Sequence, residues 1–497
     1  MSPHSELIYE LEDRPPPLES FFAGLQHLLA SFVGIVTPSL IIGSMLELQA
    51  EIPYLISMSL IASGIGTLIQ AVQPFGIGAK MLCLQGTSFT FVGVITTIGL
   101  SVKEAGSGST EILALIFGLC MAGSFLQIGL SPFIPKLQKF ITPLVTGIVV
   151  TSIGVSLIKV AMTDLAGGVN AADFGNPAHL SLGIMVIITV IIMNCSKNDW
   201  VRLSSILVGL SVGLVYAFFF LDSFPASDFN IRTSVSVPRP FIYGLDFDLL
   251  AFIPIALIFL ISSVETAGDI TANCSICDQP VRGSAYLDRV RRGVLADGIN
   301  SLISATINSF PNTTFSQNNG VIQLTGIASR HVGLYVSCML IALGLLQGLG
   351  DLLLAIPKPV IGGATMLMFG SVAATGVGIL AGLELKRREL MIIGISLGLG
   401  LGPSMVPGAL DELPSLLKTV LGSAAATAGL TAIFLHTLLP SAQTPKKLGD
   451  YIDSHLRHSF HFKKTAIYRK VVGISKGRRA NKQYNCIITR YGDSVEK

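Results

Sequence analysis

The chain is 497 residues long, 51% hydrophobic and only 13% charged, with a formal net charge of +3 and a mean hydropathy of +0.68. A soluble domain carries about 25% charged residues, so this balance excludes a soluble protein, or one held by a single anchor, and describes a polytopic membrane protein. One tryptophan and 51 glycines suit helices that pack closely through small residues.

Residues 1–19 form an acidic segment with Pro15, Pro16 and Pro17. It lacks the basic start and short apolar core of a cleaved signal, so the first apolar span is expected to target the chain. About twenty apolar residues cross a bilayer. Hydropathy predicts fourteen segments: 20–44, 54–73, 86–101, 110–131, 141–161, 180–196, 203–222, 247–268, 291–309, 317–328, 332–356, 360–382, 388–404 and 413–440. The third and tenth are shorter than a full crossing. Lys80, Lys136, Lys197, Arg202, Arg289, Arg291, Arg292, Arg330 and Arg387 follow even-numbered segments, whereas the odd-numbered connections hold only Lys103, Arg232, Arg239 and Lys358. Lys and Arg stay on the cytoplasmic side, which places the even connections and both termini there. The expected fold is an all-α polytopic membrane protein.

An internal repeat is visible. Pro143-Leu-Val-Thr-Gly147 opens the fifth segment and Pro359-Val-Ile-Gly-Gly363 the twelfth, and Gln85 precedes one short segment as Gln317 precedes the other. Seven crossings per half is an odd number, so the halves 20–222 and 247–440 are expected to be inverted relative to each other. Interrupted helices at matching places in an inverted repeat mark the binding site of a secondary transporter. From residue 441 the chain is basic, with Lys446, Lys463, Arg478 and Arg479 among its cations. This reads as a solvated cytoplasmic tail that favours anionic lipid headgroups; a basic tail by itself does not indicate a nucleic-acid partner.

Charged and amide groups at bilayer depth mark pathways. The apolar run from Leu249 to Val264 ends in Glu265, and Asp269 follows one turn later on the same helix face. Such carboxylates suit N–H donors of a heterocycle, or a coupling proton; the structural alternative is an ion pair with Lys159 or an arginine. Asp297 in the ninth segment reads equally as a proton relay or as an acceptor for free backbone amides of the broken tenth segment. Gln317 offers an amide that donates and accepts at once, suiting alternating C=O and N–H edges, whereas Asn318 is better read as satisfying the helix break. Gln85-Gly-Thr87-Ser88-Phe89 opens the third segment, where exposed N–H groups can hold an electronegative atom and Phe89 could stack on a flat ring. His27 is read first as a hydrogen-bonded structural histidine and second as a proton carrier.

Other signals are weak or absent. The seven cysteines are odd in number and scattered, and Cys274-x-x-Cys277 has no second pair nearby. Asn312-Thr313-Thr314 has the glycosylation pattern but abuts the tenth segment. No GxxxxGK[ST] loop, zinc-spaced histidine cluster or nucleophile elbow is present, so ATP-driven pumping and enzymatic hydrolysis are disfavoured. No metal or organic cofactor is expected.

The run Gln317-Asn-Asn-Gly320-Val-Ile-Gln-Leu-Thr325-Gly326 resembles the signature of the nucleobase–ascorbate transporters, also called nucleobase:cation symporter family 2. Gln26-His27, Gln85-Gly-Thr-Ser-Phe89, Ser263-Val-Glu265-Thr-Ala-Gly-Asp269 and Gly293-Val-Leu-Ala-Asp297-Gly298 agree with it. The likeness spans roughly residues 5–440, is nearest to bacterial xanthine permeases, and leaves out the tail. It implies segments 1–4 and 8–11 as a core domain, segments 5–7 and 12–14 as a gate domain, a homodimer joined through the gate domain, and a bacterial inner-membrane location. It also implies that Glu265 and Gln317 bind the base, that backbone groups at Phe89 and Ser316 add hydrogen bonds, and that His27, Asp269, Asp297 and Asn318 support affinity, coupling or geometry. Uracil permeases of the family usually carry Glu where this chain has Gln317, which favours an oxidised purine. Ser88 stands where some relatives have Asn or Thr, a position linked to the choice between xanthine and urate.

The expected activity is therefore proton-coupled import of a purine base, xanthine first, with H+ as coupling ion. The rivals are urate, guanine, hypoxanthine or uracil on the same machine, and an anion transporter or channel on the same fold. A carboxylate at Glu265 argues against the anion site.

Overall fold

The computed structural model describes residues 7–134, 142–220 apart from 169, 170 and 172, and 235–440 apart from 282, 355, 407, 411 and 414. The basic tail from residue 441 lies outside the described residues, as do Lys136 and Arg232. A helix lies in each of the predicted segments: α1 Pro17–Met45, α2 Ile52–Val72, α3 Val92–Glu104, α4 Ser109–Leu130, α5 Pro143–Leu165, α6 Pro177–Asn194, α7 Ser205–Phe220, α8 Leu249–Ile276, α9 Ser284–Thr306, α10 Ser316–Thr325, α11 Val332–Leu345, α12 Lys358–Ala381, α13 Arg387–Met405 and α14 Ala424–Leu438; the eleventh and fourteenth segments each hold a second, separate short helix, Gln347–Leu354 and Ser415–Gly422, where one continuous segment was expected. Seven of them, α1, α2, α4, α5, α6, α8 and α12, are long and apolar enough by length and composition to cross a membrane, and α7, α11 and α14 are shorter apolar helices. Arg289, Arg291, Arg292 and Arg387, expected in connections, lie instead in the opening turns of α9 and α13.

Helix ends follow local chemistry. Proline stands in the first turn of α1, α2, α5, α6 and α12, where its missing N–H has no helical partner to lose. The Asp248 carboxylate caps α8 by accepting from the Ala251 amide at 2.7 Å. Gly326 ends α10 in the left-handed region at φ 68°, the conformation that favours glycine after a helix.

The expectation of an all-α chain is corrected at the two broken segments. Each opens with a three-residue strand, β1 Gln85–Thr87 and β2 Asn312–Thr314, and the two pair antiparallel with Gln85 opposite Thr314 and Thr87 opposite Asn312. Their backbone groups are thereby satisfied inside the protein, as irregular backbone at membrane depth must be. Gly86 is needed there, because a Cβ would collide with the Phe315 ring. Helical residues begin at Phe89 after β1 and at Ser316 after β2. At a rise of about 1.5 Å per residue, neither α3 nor α10 covers a hydrocarbon core of about 30 Å.

The strands also give the two broken segments a different correspondence from the glutamine-to-glutamine match expected. Gln85 and Asn312 each open a strand, and four residues later Phe89 and Ser316 each open the helical part. Gln85 thus corresponds to Asn312 and Thr90 to Gln317, rather than Gln85 to Gln317. Helices α5 and α12, whose openings carry the other repeated motif, lie against each other antiparallel. A Cβ at Gly154 would strike the Ala373 backbone, one at Gly376 the Thr151 backbone and one at Gly362 the Leu165 backbone. Such small-residue contacts drive helix association where lipid supplies no hydrophobic force between helices.

Residues 7–16, the described part of the acidic segment before α1, form a strap. The amides of Ile8 and Tyr9 donate to the Gly326 carbonyl, Ala328 N donates to Tyr9 O at 2.9 Å, and Arg330 N donates to Leu11 O at 3.0 Å. Glu12 pairs with Lys80 at 2.8 Å and with Arg330 at 2.9 Å. The Lys80 ammonium, with help from Arg330, holds the Glu12 carboxyl below its ordinary range. Lys80 precedes β1 and Arg330 follows α10, so a single carboxylate ties the approaches to both broken segments.

Candidate functional site

The broken segments meet α1 and α8 at a cavity of about 540 Å³. One wall comes from Ala30 and Gly34 on α1, Ser88, Phe89 and Thr90 after β1, Glu265 on α8, and Thr313, Thr314, Phe315 and Gln317 around the start of α10. The rest of the lining comes from α5, α6, α7 and α12, with Val150, Ile153, Asn194, Ile206, Met368 and Ser371 among its side chains. The first amides of a helix lack intrahelical partners, and here two helical openings, at Phe89 and Ser316, flank one space. Ligand sites of this kind are apolar overall with a few fixed polar groups.

Three carboxylates stand behind or in this wall, and each is held by a threonine. Glu265 lines the cavity, and Thr90 Oγ1 donates to its Oε2 at 2.9 Å. Asp269, one turn further along α8, accepts from Thr314 Oγ1 at 3.1 Å, and its carbonyl accepts from Asn319 Nδ2 at 3.3 Å. Asp297 on α9 is fully buried. Its Oδ1 accepts from Gln70 Nε2 and from Gln85 Nε2, both at 2.8 Å, while Oδ2 accepts a short bond from Thr266 Oγ1. It therefore gathers α2, β1 and α8 through side chains, not through backbone amides of the tenth segment as one reading expected. The ion pair with Lys159 considered for the α8 carboxylates does not form: Lys159 Nζ donates to the Ser404 carbonyl at 2.6 Å.

The remaining sequence-predicted residues divide between the cavity and its support. Ser88 lines the space, 2% exposed, with no hydrogen-bond partner for its hydroxyl among the described residues. Phe89 lines it too, its ring set edge-on to Phe369 of α12 at 5.6 Å. Gln317 is exposed to the cavity. Asn318 faces away and donates through Nδ2 to the Leu82 carbonyl at 2.6 Å, ahead of β1 and not at the break of the tenth segment. His27 is fully buried and sits beside the Asn318 side chain, the described polar neighbour of its ring. Ser316 contributes its backbone at the opening of α10. Asn312, of the glycosylation pattern, is buried in β2.

Several members were not picked out from sequence. Gln70 is a lone amide in the apolar run of α2, and that isolation was the available signal. Thr90, Thr266, Thr313 and Thr314 gave none, because threonine is common in helices packed at membrane depth.

A family model described as the permease family matches residues 18–409. Xanthine permease XanP of Escherichia coli (strain K12) is 43% identical over 442 residues, covering 88% of this chain and 95% of that protein. Xanthine permease XanQ of the same strain is 43% identical over 441 residues, covering 88% and 94%. Among solved structures, the murine Slc26a9 anion transporter in the inward-facing state superposes with a TM-score of 0.60 at 12% identity, over 86% of this chain and 69% of that one. At that identity the likeness concerns the fold alone.

Proposed function

The chain belongs to the nucleobase–ascorbate transporter family of permeases, and from that premise we propose that it imports xanthine together with protons by alternating access. The observation that carries the reading is one cavity whose wall presents the Glu265 carboxylate, the Gln317 amide and two helical openings. Xanthine offers ring N–H groups to a carboxylate and alternating C=O and N–H edges to an amide. Helix-opening amides suit its carbonyl oxygens and acceptor nitrogen. Phe89 supplies a flat apolar face. The names of the 43% identical permeases support xanthine over other bases.

The same reading holds fourteen crossings in two inverted halves, both termini in the cytoplasm, and a bacterial inner-membrane location. Segments 1–4 and 8–11 form the moving core and segments 5–7 and 12–14 the gate, through which two copies associate. Lining residues drawn from segments of both groups support that division. Proton coupling runs through Glu265, Asp269 and Asp297. An anion transporter on this fold is the second reading: the helical openings at Phe89 and Ser316 suit an anion, but the Glu265 carboxylate lining the same cavity repels one and speaks against it.

Uptake of radiolabelled xanthine, urate and uracil into cells lacking their own base permeases tests the proposal. Xanthine uptake is expected to rise with an inward proton gradient, to collapse with a protonophore and to ignore sodium. Uptake of none of the three, or uptake that follows sodium and survives the protonophore, refutes it.

Gln317 sets the choice of base in this reading. Its amide donates to a purine carbonyl and accepts from a ring N–H at once. An ionised glutamate loses the donor and repels carbonyl oxygens. Sites built to bond a polar edge discriminate strongly once that edge is left unpaired. Gln317→Glu is therefore expected to weaken xanthine far more than uracil in competition assays, whereas Ser88 substitutions shift the xanthine-to-urate ratio with a smaller loss. An unchanged ranking of bases in Gln317→Glu would make Gln317 a purely structural amide.

A further inference from the structure

We propose that Thr90 is a positioning residue for Glu265, fixing the direction in which its carboxylate meets the transported base. The inference rests on the transport reading above and adds a residue that neither the sequence motifs nor that reading singled out.

Thr90 lines the cavity, is 3% exposed, and donates its hydroxyl to Glu265 Oε2 at 2.9 Å. Its own position is well determined. It is the second residue of the helical turn that follows β1, whose backbone is locked by pairing with β2 and by the Ser88 amide donating to Pro311 O at 3.0 Å. Threonine is stiff at its first side-chain torsion, so a fixed backbone gives a fixed hydroxyl. Glu265 has a longer and more mobile side chain, and without a donor it would sample several rotamers in the cavity. A first contact whose rotamer is locked by a supporting hydrogen bond is preorganised, which favours binding by removing the ordering cost. With Oε2 engaged by Thr90, Oε1 is the oxygen left to accept an N–H of the base.

The repeat register gives the same assignment from a different direction. Thr90 and Gln317 occupy equivalent places, each the second residue of the helical part after its strand, and both line the cavity. One half of the repeat thus contributes an amide that can meet the base directly. The other contributes a hydroxyl that is already committed to the carboxylate. Thr314 on Asp269 and Thr266 on Asp297 show the same pairing of threonine with acid, but only Thr90 does so for the acid that lines the cavity.

The test compares initial rates of radiolabelled xanthine uptake over a range of concentrations for the wild type, Thr90→Val and Thr90→Ser at matched surface expression. Valine keeps the shape and removes the donor; serine keeps the donor and removes the methyl group. The expected result is a KM raised about fivefold to tenfold in Thr90→Val with Vmax within about twofold of wild type, and a KM near wild type in Thr90→Ser, as befits loss of one bond to a charged acceptor. If Thr90→Val fails to reach the membrane, Thr90→Ala takes its place in the comparison. An unchanged KM in the valine or alanine variant overturns the proposal. So does a serine variant as impaired as the valine one, because the contribution would then be packing of the methyl group. A wild-type chain that moves uracil or urate and not xanthine corrects the transport reading instead, and the same KM comparison made with that base decides the role of Thr90.

Discussion

Glu265→Gln is expected to lower xanthine uptake at least about tenfold at normal surface expression. The substitution preserves length and shape, so the wall of the cavity is not disturbed. It changes two things at the atoms that matter. The charge is lost, and with it a charge-assisted bond worth roughly 1.5–3 kcal/mol, which at about 1.4 kcal/mol per factor of ten accounts for the fall. Thr90 Oγ1, which donates to Oε2, also holds one end of the new amide, and in the orientation in which it goes on donating, the NH2 group points into the cavity and sets a donor against the ring N–H of the base. The loss is expected in binding, visible as failure of unlabelled xanthine to compete, and not in the amount of protein. Near-normal uptake would remove Glu265 from the list of base contacts.

Sequence reasoning could reach Glu265 because an acid at the end of a sixteen-residue apolar run from Leu249 to Val264 has few structural explanations. It reached the two interrupted segments through hydropathy, because the third and tenth apolar stretches are too short for a full crossing; Asn319-Gly320 did not mark the break, since both residues lie inside α10. The strands β1 and β2 were not legible. Three residues cannot display an alternating pattern, and their stability comes from each other across more than two hundred residues of chain, a pairing that no local signal encodes. The correspondence of the two broken segments was not legible for the same reason, since matching glutamine with glutamine used side-chain identity where the backbone sets the correspondence. Asp297 was visible as a buried acid, but its donors Gln70 and Thr266 lie on other helices, and one sequence without its packing cannot choose between them and nearby backbone amides.

Asp297 is also where the second large effect is expected. Asp297→Ala should leave little protein in the membrane, while Asp297→Asn should be present in nearly normal amount yet fail to accumulate xanthine. The acid is closed off from the cavity and receives Gln70, Gln85 and Thr266. Alanine leaves one N–H of Gln70 and one of Gln85 without an acceptor in a buried place, at about 1–3 kcal/mol for each unsatisfied group, while Gln70 keeps Gly293 O at 3.0 Å and Thr266 keeps the Thr313 hydroxyl at 3.1 Å; that loss is still a large share of the roughly 5–15 kcal/mol by which a folded domain is stable. Asparagine can keep the network whole. Its carbonyl oxygen accepts from the two glutamine amides as Oδ1 does now. Its NH2 donates to the Thr266 hydroxyl, which is free to turn toward the Thr313 hydroxyl 3.1 Å away because a hydroxyl can donate or accept. What asparagine cannot do is take up a proton. Immunoblots of tagged protein and thermal melting in detergent measure the first half of the expectation, and protonophore-sensitive accumulation in intact cells measures the second. Asparagine and alanine variants equally scarce would refute the network as the reason Asp297 is buried there. An abundant asparagine variant that still accumulates xanthine against a gradient would take Asp297 out of the proton path and leave coupling to Glu265 and Asp269.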